Sequence, residues 1–336
     1  MGGKKDMWKM VIGLVIGIGA AFHAPDVKAQ FARQEVLGFE SATMSVQDFL
    51  TGKKGTPVTL AGYLRLPKAN GKNPVVVLFH GAGGLLGDNG MVNEWTRVLN
   101  EAGIGTFTVD SYSGRGIASL VGVALATLAD TGPINPATRV IDAYRALALL
   151  SKHPLIDANR IAIMGFSHGG PAALYSSLAR FRKLYGDPNV QFAAHVSVYG
   201  MCETTFREDE VLDGSPVLLL HGTADNWVPV TPCREYASRL AKAGMNVRLI
   251  EYPNANHVFD SPAAREPIKL PQVLTSRTCR FTEVDGGSLV NVATRQPLSV
   301  TDPCFEKGVT LAYDEAAATK AHDDVKAFLK DVFTQK

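Results

Sequence analysis

Gly165-Phe166-Ser167-His168-Gly169 is the stretch of this 336-residue chain that decides the fold. It directly follows the apolar run 160–164, which is typical of a buried strand, and directly precedes the predicted helix 170–184. A serine at a sharp turn from strand to helix has its hydroxyl lifted clear of the backbone, and small neighbours make room for the turn. The motif therefore predicts that Ser167 is a nucleophile. The alternative is a serine that caps a helix after a glycine turn.

The same order of strand, turn and helix repeats along the chain from residue 73. Continuous apolar runs are expected of strands buried on both faces, so the alternation predicts a mainly parallel sheet with helices on both faces. Residues 36–66 add a predicted hairpin, and 30–336 form a single α/β domain. The predicted strands are 58–66, 74–79, 104–109, 160–164, 192–198, 216–220 and 247–252, and the predicted helices are 91–102, 136–151, 170–184, 231–243 and 314–333.

Residues 261–310 interrupt this order between the last strand and the last helix. They contain five prolines, and the turn Asp285-Gly286-Gly287 predicts a hairpin. About 50 residues with little helix are unusual in a compact domain and are often functional. We therefore expect an irregular insert, or lid, at 261–310.

A serine hydroxyl is a weak nucleophile without a base, so a histidine and an orienting acid should exist elsewhere in the chain. In this architecture the acid precedes the histidine, and each lies on a loop after a later strand. Asp225 follows the strand 216–220, and His257 follows the strand 247–252. Either residue alone would more often be a turn or surface residue. Together with Ser167 they stand at three strand ends in the expected order, which predicts a catalytic triad.

The negative oxygen of a tetrahedral intermediate needs backbone N–H donors. The stretch His80-Gly81-Ala82-Gly83-Gly84 follows the strand 74–79, and its small residues let a substrate oxygen approach the backbone. We predict the His168 N–H as one donor and the N–H of Gly81 or of Ala82 as the other. The alternative is a phosphate-binding turn, but the spacing of a P-loop or a G-x-G-x-x-G motif is missing. No ligand spacing in the chain suggests a metal site.

The first 29 residues differ from the rest of the chain. Three lysines precede the apolar run 10–22, and slim residues before Gln30 resemble a cleavage site, which together predict a secretory signal peptide. A transmembrane anchor is the competing interpretation, but it needs about 20 apolar residues and Pro25-Asp26 ends the run. A buried helix is disfavoured by the charged flank. We expect a periplasmic or secreted protein with no stable membrane anchor.

Charge and composition exclude two classes of protein. The formal net charge is +2, and residues 1–29 account for it with four lysines against two aspartates. The neutral remainder argues against a protein that binds nucleic acid through phosphate contacts. A content of 46% hydrophobic residues is unlike that of a disordered chain. The sequence indicates no cofactor and leaves the oligomeric state open.

Export gives the four cysteines a structural interpretation. An even number of cysteines in an oxidising compartment favours disulfides, and four cysteines allow three pairings. Cys202 and Cys233 follow successive parallel strands, and Cys279 and Cys304 bracket the predicted hairpin. We favour Cys202–Cys233 and Cys279–Cys304.

These motifs together resemble the α/β-hydrolase fold and, within it, the dienelactone hydrolase family, over about 58–260 and again over 309–333. The family's founding lactonases use a cysteine where Ser167 stands, and a glutamate where this chain has His80. The resemblance implies that Arg115 matches an arginine that binds a substrate carboxylate, and Trp227 is a second candidate for substrate contact. The resemblance is carried by Phe79-His80-Gly81, Val109-Asp110-Ser111-Tyr112, the motif at 165–169, His221-Gly222-Thr223-Ala224-Asp225, Asn256-His257 and the stretch 312–318.

The prediction is an exported serine hydrolase that cleaves a small-molecule ester or lactone through an acyl-enzyme. A serine peptidase on the same fold would use the same three residues. A non-catalytic binding protein is the third alternative, because fold alone does not dictate function. Its expected sign, a broken triad, is absent from the sequence.

Overall fold

The computed structural model describes residues 32–120, 134–299 and 301–335, so the predicted signal peptide at 1–29 lies outside the described residues. The strands are β1 Arg33–Thr43, β2 Thr56–Leu66, β3 Asn73–Phe79, β4 Gly105–Asp110, β5 Ile156–Phe166, β6 His195–Val198, β7 Thr204–Thr205, β8 Val217–Gly222, β9 Val247–Tyr252, β10 Ile268–Thr275, β11 Phe281–Glu283, β12 Leu289–Asn291 and β13 Glu306–Leu311. The helices are α1 Val46–Leu50, α2 Gly84–Gly87, α3 Asn89–Glu101, α4 Pro136–Leu150, α5 Gly170–Tyr175, α6 Ala179–Tyr185, α7 Thr231–Lys242 and α8 Glu315–Thr334.

Eight of these strands form one sheet in the order β1-β2-β4-β3-β5-β6-β8-β9. Neighbouring strands from β4 to β9 are parallel, whereas β2 runs antiparallel to both β1 and β4. Since the carboxyl ends of parallel strands share one edge of a sheet, the loops after β3, β5, β8 and β9 meet there. The predicted α/β class with a mainly parallel sheet is confirmed.

Helices cover both faces of the sheet, and β3 shows how its sequence requires this. Val75, Val77 and Phe79 belong to the core cluster that includes α4, α5 and α7, while Val76 and Leu78 belong to the cluster of α3 and α8. All five side chains are completely buried. Because successive strand residues point to opposite faces, a strand covered on both sides must be apolar at every position.

The predicted helix 170–184 is wrong in one respect, because two helices, α5 and α6, occupy this stretch. The Ser176 and Ser177 hydroxyls donate hydrogen bonds to the carbonyls of Ala173 and Leu174, at 3.1 and 2.5 Å. The next residue, Leu178, is extended, with ψ of 123°. Such local bonds from serine to the backbone compete with helical hydrogen bonding, and two serines in a row end α5.

The insert at 261–310 is built mainly of strands. The predicted hairpin forms, with β11 and β12 paired antiparallel on either side of Asp285–Gly287. The sequence did not predict the second pair, in which β10 runs antiparallel to β13. On the body side, β11 also pairs with β7, and the buried Glu283 accepts hydrogen bonds from Arg180 and Arg207. The insert is therefore part of the same packed unit.

Both favoured disulfide pairings are present in the structure. Cys202–Cys233 joins the loop after β6 to the first turn of α7, and Cys279–Cys304 closes the base of the hairpin. No cysteine of the described residues is free.

Within the described ranges, no helix is long and apolar enough to cross a bilayer.

Candidate active site

The turn between β5 and α5 holds Ser167 in a strained backbone conformation. Its φ is +49°, in the left-handed region that residues with a side chain seldom adopt. A Cβ atom on Gly165 would lie 2.0 Å from the Gly169 carbonyl oxygen, and one on Gly169 would lie 2.3 Å from the Phe79 carbonyl oxygen. Glycine is therefore required on both sides of Ser167, which explains the motif that the sequence displays.

The three residues of the predicted triad meet at the carboxyl edge of the sheet. Ser167 Oγ lies 2.8 Å from His257 Nε2, and His257 Nδ1 lies 2.6 Å from Asp225 Oδ2. These distances form a continuous chain of hydrogen bonds from the acid to the serine hydroxyl. The geometry is that of a base oriented by an acid and placed against a nucleophile.

The Asp225 carboxylate is buried but well supplied with hydrogen-bond donors. Its Oδ1 accepts from the N–H groups of Trp227 and Val228, at 2.9 and 2.8 Å. Burial alone would raise the pKa of Asp225, but the charge of His257 and hydrogen bonds from His221 and His257 lower it below the usual range. The group therefore stays ionised near neutral pH, as an acid that stabilises a protonated histidine must.

A small cavity of about 80 Å³ opens beside Ser167 and His257. The described residues of its walls are mostly apolar, and among them Asp88 alone carries a carboxyl group. The Trp227 ring stands 5.1 Å from the His257 ring and lines this cavity, so the structure brings Trp227 to the position expected of a substrate contact. Other wall residues are Met91, Phe166, Tyr199 and Leu311.

Buried side chains hold the turn after β3 from behind. Arg139 Nη2 donates to the His80 carbonyl oxygen at 2.7 Å, and the Tyr112 hydroxyl donates to the Gly81 carbonyl oxygen at 3.3 Å. The same two side chains each lie 3.1 Å from His168 Nδ1. One cluster of Arg139, Tyr112 and His168 thus contacts both segments that were predicted to supply oxyanion donors.

Both histidines of these segments are held neutral. Burial, and then the nearby charge of Arg139, lower the pKa of His80 and of His168 well below the ordinary value. A neutral His168 can accept a hydrogen bond at Nδ1, which is the atom that Arg139 and Tyr112 contact. The guanidinium of Arg139 is itself completely buried and is the positive charge of this cluster.

Arg115 is not brought to the cavity. Its guanidinium pairs with Asp142 at 2.8 Å and donates to the carbonyl oxygens of Ser111 and Ala42, and its side chain is only 2% exposed. A guanidinium that is buried and fully bonded cannot bind a substrate carboxylate. The expectation for Arg115, which the family resemblance implied, is corrected, because its side chain turns into the interior.

The insert reaches the site through the loop that carries Asp225. Thr275 Oγ1 donates to the Trp227 carbonyl oxygen at 2.6 Å, and Arg277 Nη1 donates to the Asn226 carbonyl oxygen at 3.0 Å. On the other side, the Ala312 N–H, just after β13, bonds to the His257 carbonyl oxygen at 3.2 Å. The insert therefore braces the acid loop, and the residue just after β13 is bonded to the histidine loop.

Three residues near the site, Asp88, Tyr112 and Arg139, were not singled out as site residues from the sequence. For Arg139 a signal existed, since a charged residue stands beside Val140 and Ile141 on the apolar face of α4. For Asp88, between Gly87 and Asn89, the sequence offers no such signal.

Among the described residues, no group of three or more potential ligands is placed to hold a metal ion.

Comparison with known proteins then identifies the family. The model of the dienelactone hydrolase family matches residues 60–333. The chain belongs to the dienelactone hydrolase family. This agrees with the resemblance in the sequence and makes the protein a hydrolase by family.

Individual relatives are distant. A Bradyrhizobium protein named "probable 2-oxo-3-(5-oxofuran-2-ylidene)propanoate lactonase" is 25% identical over 59% of this chain and 77% of its own length. Acylamino-acid-releasing enzyme 1 of Oryza sativa subsp. japonica is 27% identical over 37% of this chain, which spans only 20% of that enzyme. A dienelactone hydrolase-like promiscuous phosphotriesterase from metagenomic libraries has a TM-score of 0.57 at 18% identity, over 89% of this chain and 98% of its own. At that identity the structural likeness shows a shared fold.

Proposed function

We propose that this member of the dienelactone hydrolase family is an exported serine hydrolase that cleaves a small carboxylic ester or lactone. The observation that carries the proposal is the hydrogen-bonded chain from Asp225 through His257 to Ser167, with Ser167 raised on a strained turn. A serine that only capped a helix would need neither the left-handed φ nor an aligned histidine.

In the proposed reaction, Ser167 Oγ attacks the ester carbonyl carbon while its proton passes to His257 Nε2. His257 then gives that proton to the leaving alkoxide as the carbon–oxygen bond breaks, which leaves an acyl group on Ser167. A water molecule, deprotonated by His257, attacks the acyl carbon, and the acid product departs as the proton returns to Ser167. Asp225 fixes the histidine tautomer and stabilises its charged form throughout.

The N–H groups of His168 and Ala82 are the proposed oxyanion donors. Gly81 and Ala82 remained equal candidates from the sequence, and the hydrogen bonds of Gly81 now favour Ala82. The Gly81 carbonyl oxygen accepts from the Tyr112 hydroxyl, so the N–H on the other side of the same trans peptide, that of Ala82, points away from Tyr112. No described residue accepts a hydrogen bond from it, and Ala82 lines the cavity beside Ser167.

Export is part of the proposal. The charged start and short apolar run of residues 1–29 support it, and the two disulfides fit an oxidising compartment. The mass of the protein isolated from its host tests the idea. A chain lacking about the first 29 residues is expected, and an intact Met1 would contradict it.

Peptidase activity is the second candidate, favoured by the similarity to acylamino-acid-releasing enzyme 1. Parallel assays of short-chain 4-nitrophenyl esters and of acetyl-amino-acid 4-nitroanilides separate the two, since both release a coloured product. We expect ester hydrolysis that falls by at least about 10³-fold in Ser167→Ala and in His257→Gln. Amide turnover comparable with ester turnover would favour the peptidase, and unchanged ester turnover in both variants would reject this triad.

A further inference from the structure

The cavity beside Ser167 lacks the positive group that an anionic substrate would need. None of the described residues that line it is lysine or arginine. Arg115 is bonded to Asp142 in the interior, and Arg139 lies behind the turn, bonded to His80 and His168. Residues 121–133, outside the described ranges, contain no lysine, arginine or histidine.

The Asp88 carboxyl is instead the charged group nearest the oxyanion turn on the cavity side. A Cβ atom on Gly81 would lie 3.0 Å from Asp88 Oδ2 and 3.3 Å from Ser167 Cβ, so the carboxyl and the nucleophile flank the same glycine. A Cβ atom on Gly83 would lie 2.3 Å from Asp88 Oδ1. The two glycines therefore give the carboxyl its place against the turn.

This carboxyl is not neutralised by an ion pair. Asp88 Oδ2 is buried, and no described residue donates a hydrogen bond of normal geometry to it. Two other buried carboxylates in the same protein are paired with arginines, Asp142 with Arg115 and Glu283 with Arg180. A carboxylate without a countercharge acts through its own charge on whatever enters the cavity next to it.

We infer that Asp88 determines the charge selectivity of the cavity, which accepts acyl groups that are neutral or cationic and rejects those with a carboxylate close to the scissile carbonyl. The inference rests on the proposed ester hydrolysis at Ser167 and names its substrate class. It separates this chain from the Bradyrhizobium relative, whose name describes a propanoate.

The surroundings of Asp88 define the pH range of this selectivity. Burial raises the pKa of Asp88 to about 6, although the Gly81 N–H and the charges of Arg139 and His257 lower it, and Asp260 raises it. The buried hydroxyls of Tyr112 and Tyr199 are the other titratable groups that face it. Rejection of anions should therefore be full at pH 8 and fade as the pH falls through about 6.

Three ethyl esters with acyl groups of nearly equal length test the inference: ethyl butanoate, monoethyl malonate and ethyl 3-aminopropanoate. Ethanol release is measured for each between pH 5 and pH 8, and kcat/KM is divided by the value for ethyl butanoate. Because all three esters need the same base, this division removes the effect of His257 protonation on kcat/KM from the comparison. At pH 8 we expect the malonate ratio to be at least about tenfold below one and the aminopropanoate ratio to be one or higher.

Asp88→Asn keeps the shape of the side chain and removes its charge, and the Arg139 charge behind the turn is then unopposed. The malonate ratio should rise by about tenfold at pH 8 and lose its dependence on pH. Glu101→Gln is the matched control, because it removes one exposed carboxylate at the far end of α3, the helix that Asp88 precedes, outside the cavity. This control should leave all three ratios as in the wild type.

The outcomes separate the inference from the proposed function. Equal turnover of the three esters at pH 8 would overturn the inference alone, and so would rejection of the aminopropanoate ester as strong as that of the malonate ester. A malonate ratio unchanged in Asp88→Asn would also overturn it. If that variant does not fold, the wild-type malonate ratio decides, and a ratio that stays constant from pH 5 to pH 8 contradicts the role of Asp88. Absence of all three activities would overturn the proposed function as well.

Discussion

At the scale of single residues, the site combines backbone strain with dense hydrogen bonding. Ser167 holds a left-handed φ of +49°, which costs about 1–3 kcal/mol and persists only where the surrounding structure enforces it. Gly165 and Gly169 leave no space for side chains on either side of it. Strain at the residue that is proposed to react is therefore a measurable property of the molecule.

Comparison of Ser167→Gly with Ser167→Ala measures this strain. Both variants should be inactive, but glycine adopts positive φ freely and alanine does not. We expect Ser167→Gly to have a free energy of unfolding about 1 kcal/mol higher than Ser167→Ala, measured by urea denaturation. An alanine variant as stable as the glycine variant would show that the turn is not strained.

Tyr112 is expected to act as a positioning residue for the oxyanion turn. Tyr112→Phe removes the hydroxyl that contacts the Gly81 carbonyl oxygen and His168 Nδ1. We expect kcat for a neutral ester to fall about tenfold with little change in KM, because the donors matter most when the oxyanion forms. Tyr144→Phe is the matched control, since its buried hydroxyl bonds to the Ser176 carbonyl oxygen away from the cavity. Equal losses of kcat in the two variants would contradict the positioning role.

At the scale of elements, much of the architecture could be predicted from the sequence. Continuous apolar runs identify the buried strands because both faces of the sheet are covered. Ser167, Asp225 and His257 could be grouped because the loops after parallel strands meet at one edge of the sheet. Two features escaped prediction for physical reasons. Ser176 and Ser177 end a helix through local bonds that an apolar pattern does not reveal, and β10 pairs with β13 across a long separation in sequence.

Arg115 shows a further limit of prediction, since a resemblance between motifs does not determine which way a side chain turns. Its ion pair with Asp142 joins α4 to the turn after β4, and its bonds to Ala42 and Thr43 add β1. Arg115→Met should lower the free energy of unfolding by about 3–5 kcal/mol, because it leaves a buried carboxylate without its partner.

The double variant Arg115→Met/Asp142→Leu should recover much of that loss. Urea denaturation gives the free energies, and KM for a neutral ester should stay close to the wild-type value in any variant that folds. A rise in KM at unchanged stability would instead indicate that Arg115 contacts the substrate.

At the scale of the whole molecule, one sheet edge, one insert and one buried cluster together define the site. The insert contacts the loop of Asp225, and Ala312, just after the insert, bonds to the loop of His257, so the site does not depend on the sheet alone. The exported state is proposed from the sequence of residues 1–29, and the substrate class is proposed from Asp88 beside the cavity.

The dependence of stability on pH offers a check of Asp88 that needs no substrate. Its pKa of about 6 in the folded protein lies above the unfolded value of about 3.9, so the folded state binds the proton more tightly. Asp88 therefore lowers the free energy of unfolding above pH 6, and this effect disappears below about pH 4. Asp88→Asn should be about 3 kcal/mol more stable than the wild type at pH 8 and within about 0.5 kcal/mol of it at pH 4. A difference that is the same at both pH values would show that Asp88 titrates normally.

The central claim is that Ser167 is a nucleophile activated by His257, and covalent labelling tests it most directly. The folded wild type is treated with a fluorophosphonate, and the modified residue is located by mass spectrometry of the digested protein. The account predicts one label, on Ser167, and no label in Ser167→Ala. A folded wild type that takes no label, or takes it on another residue, would contradict the account.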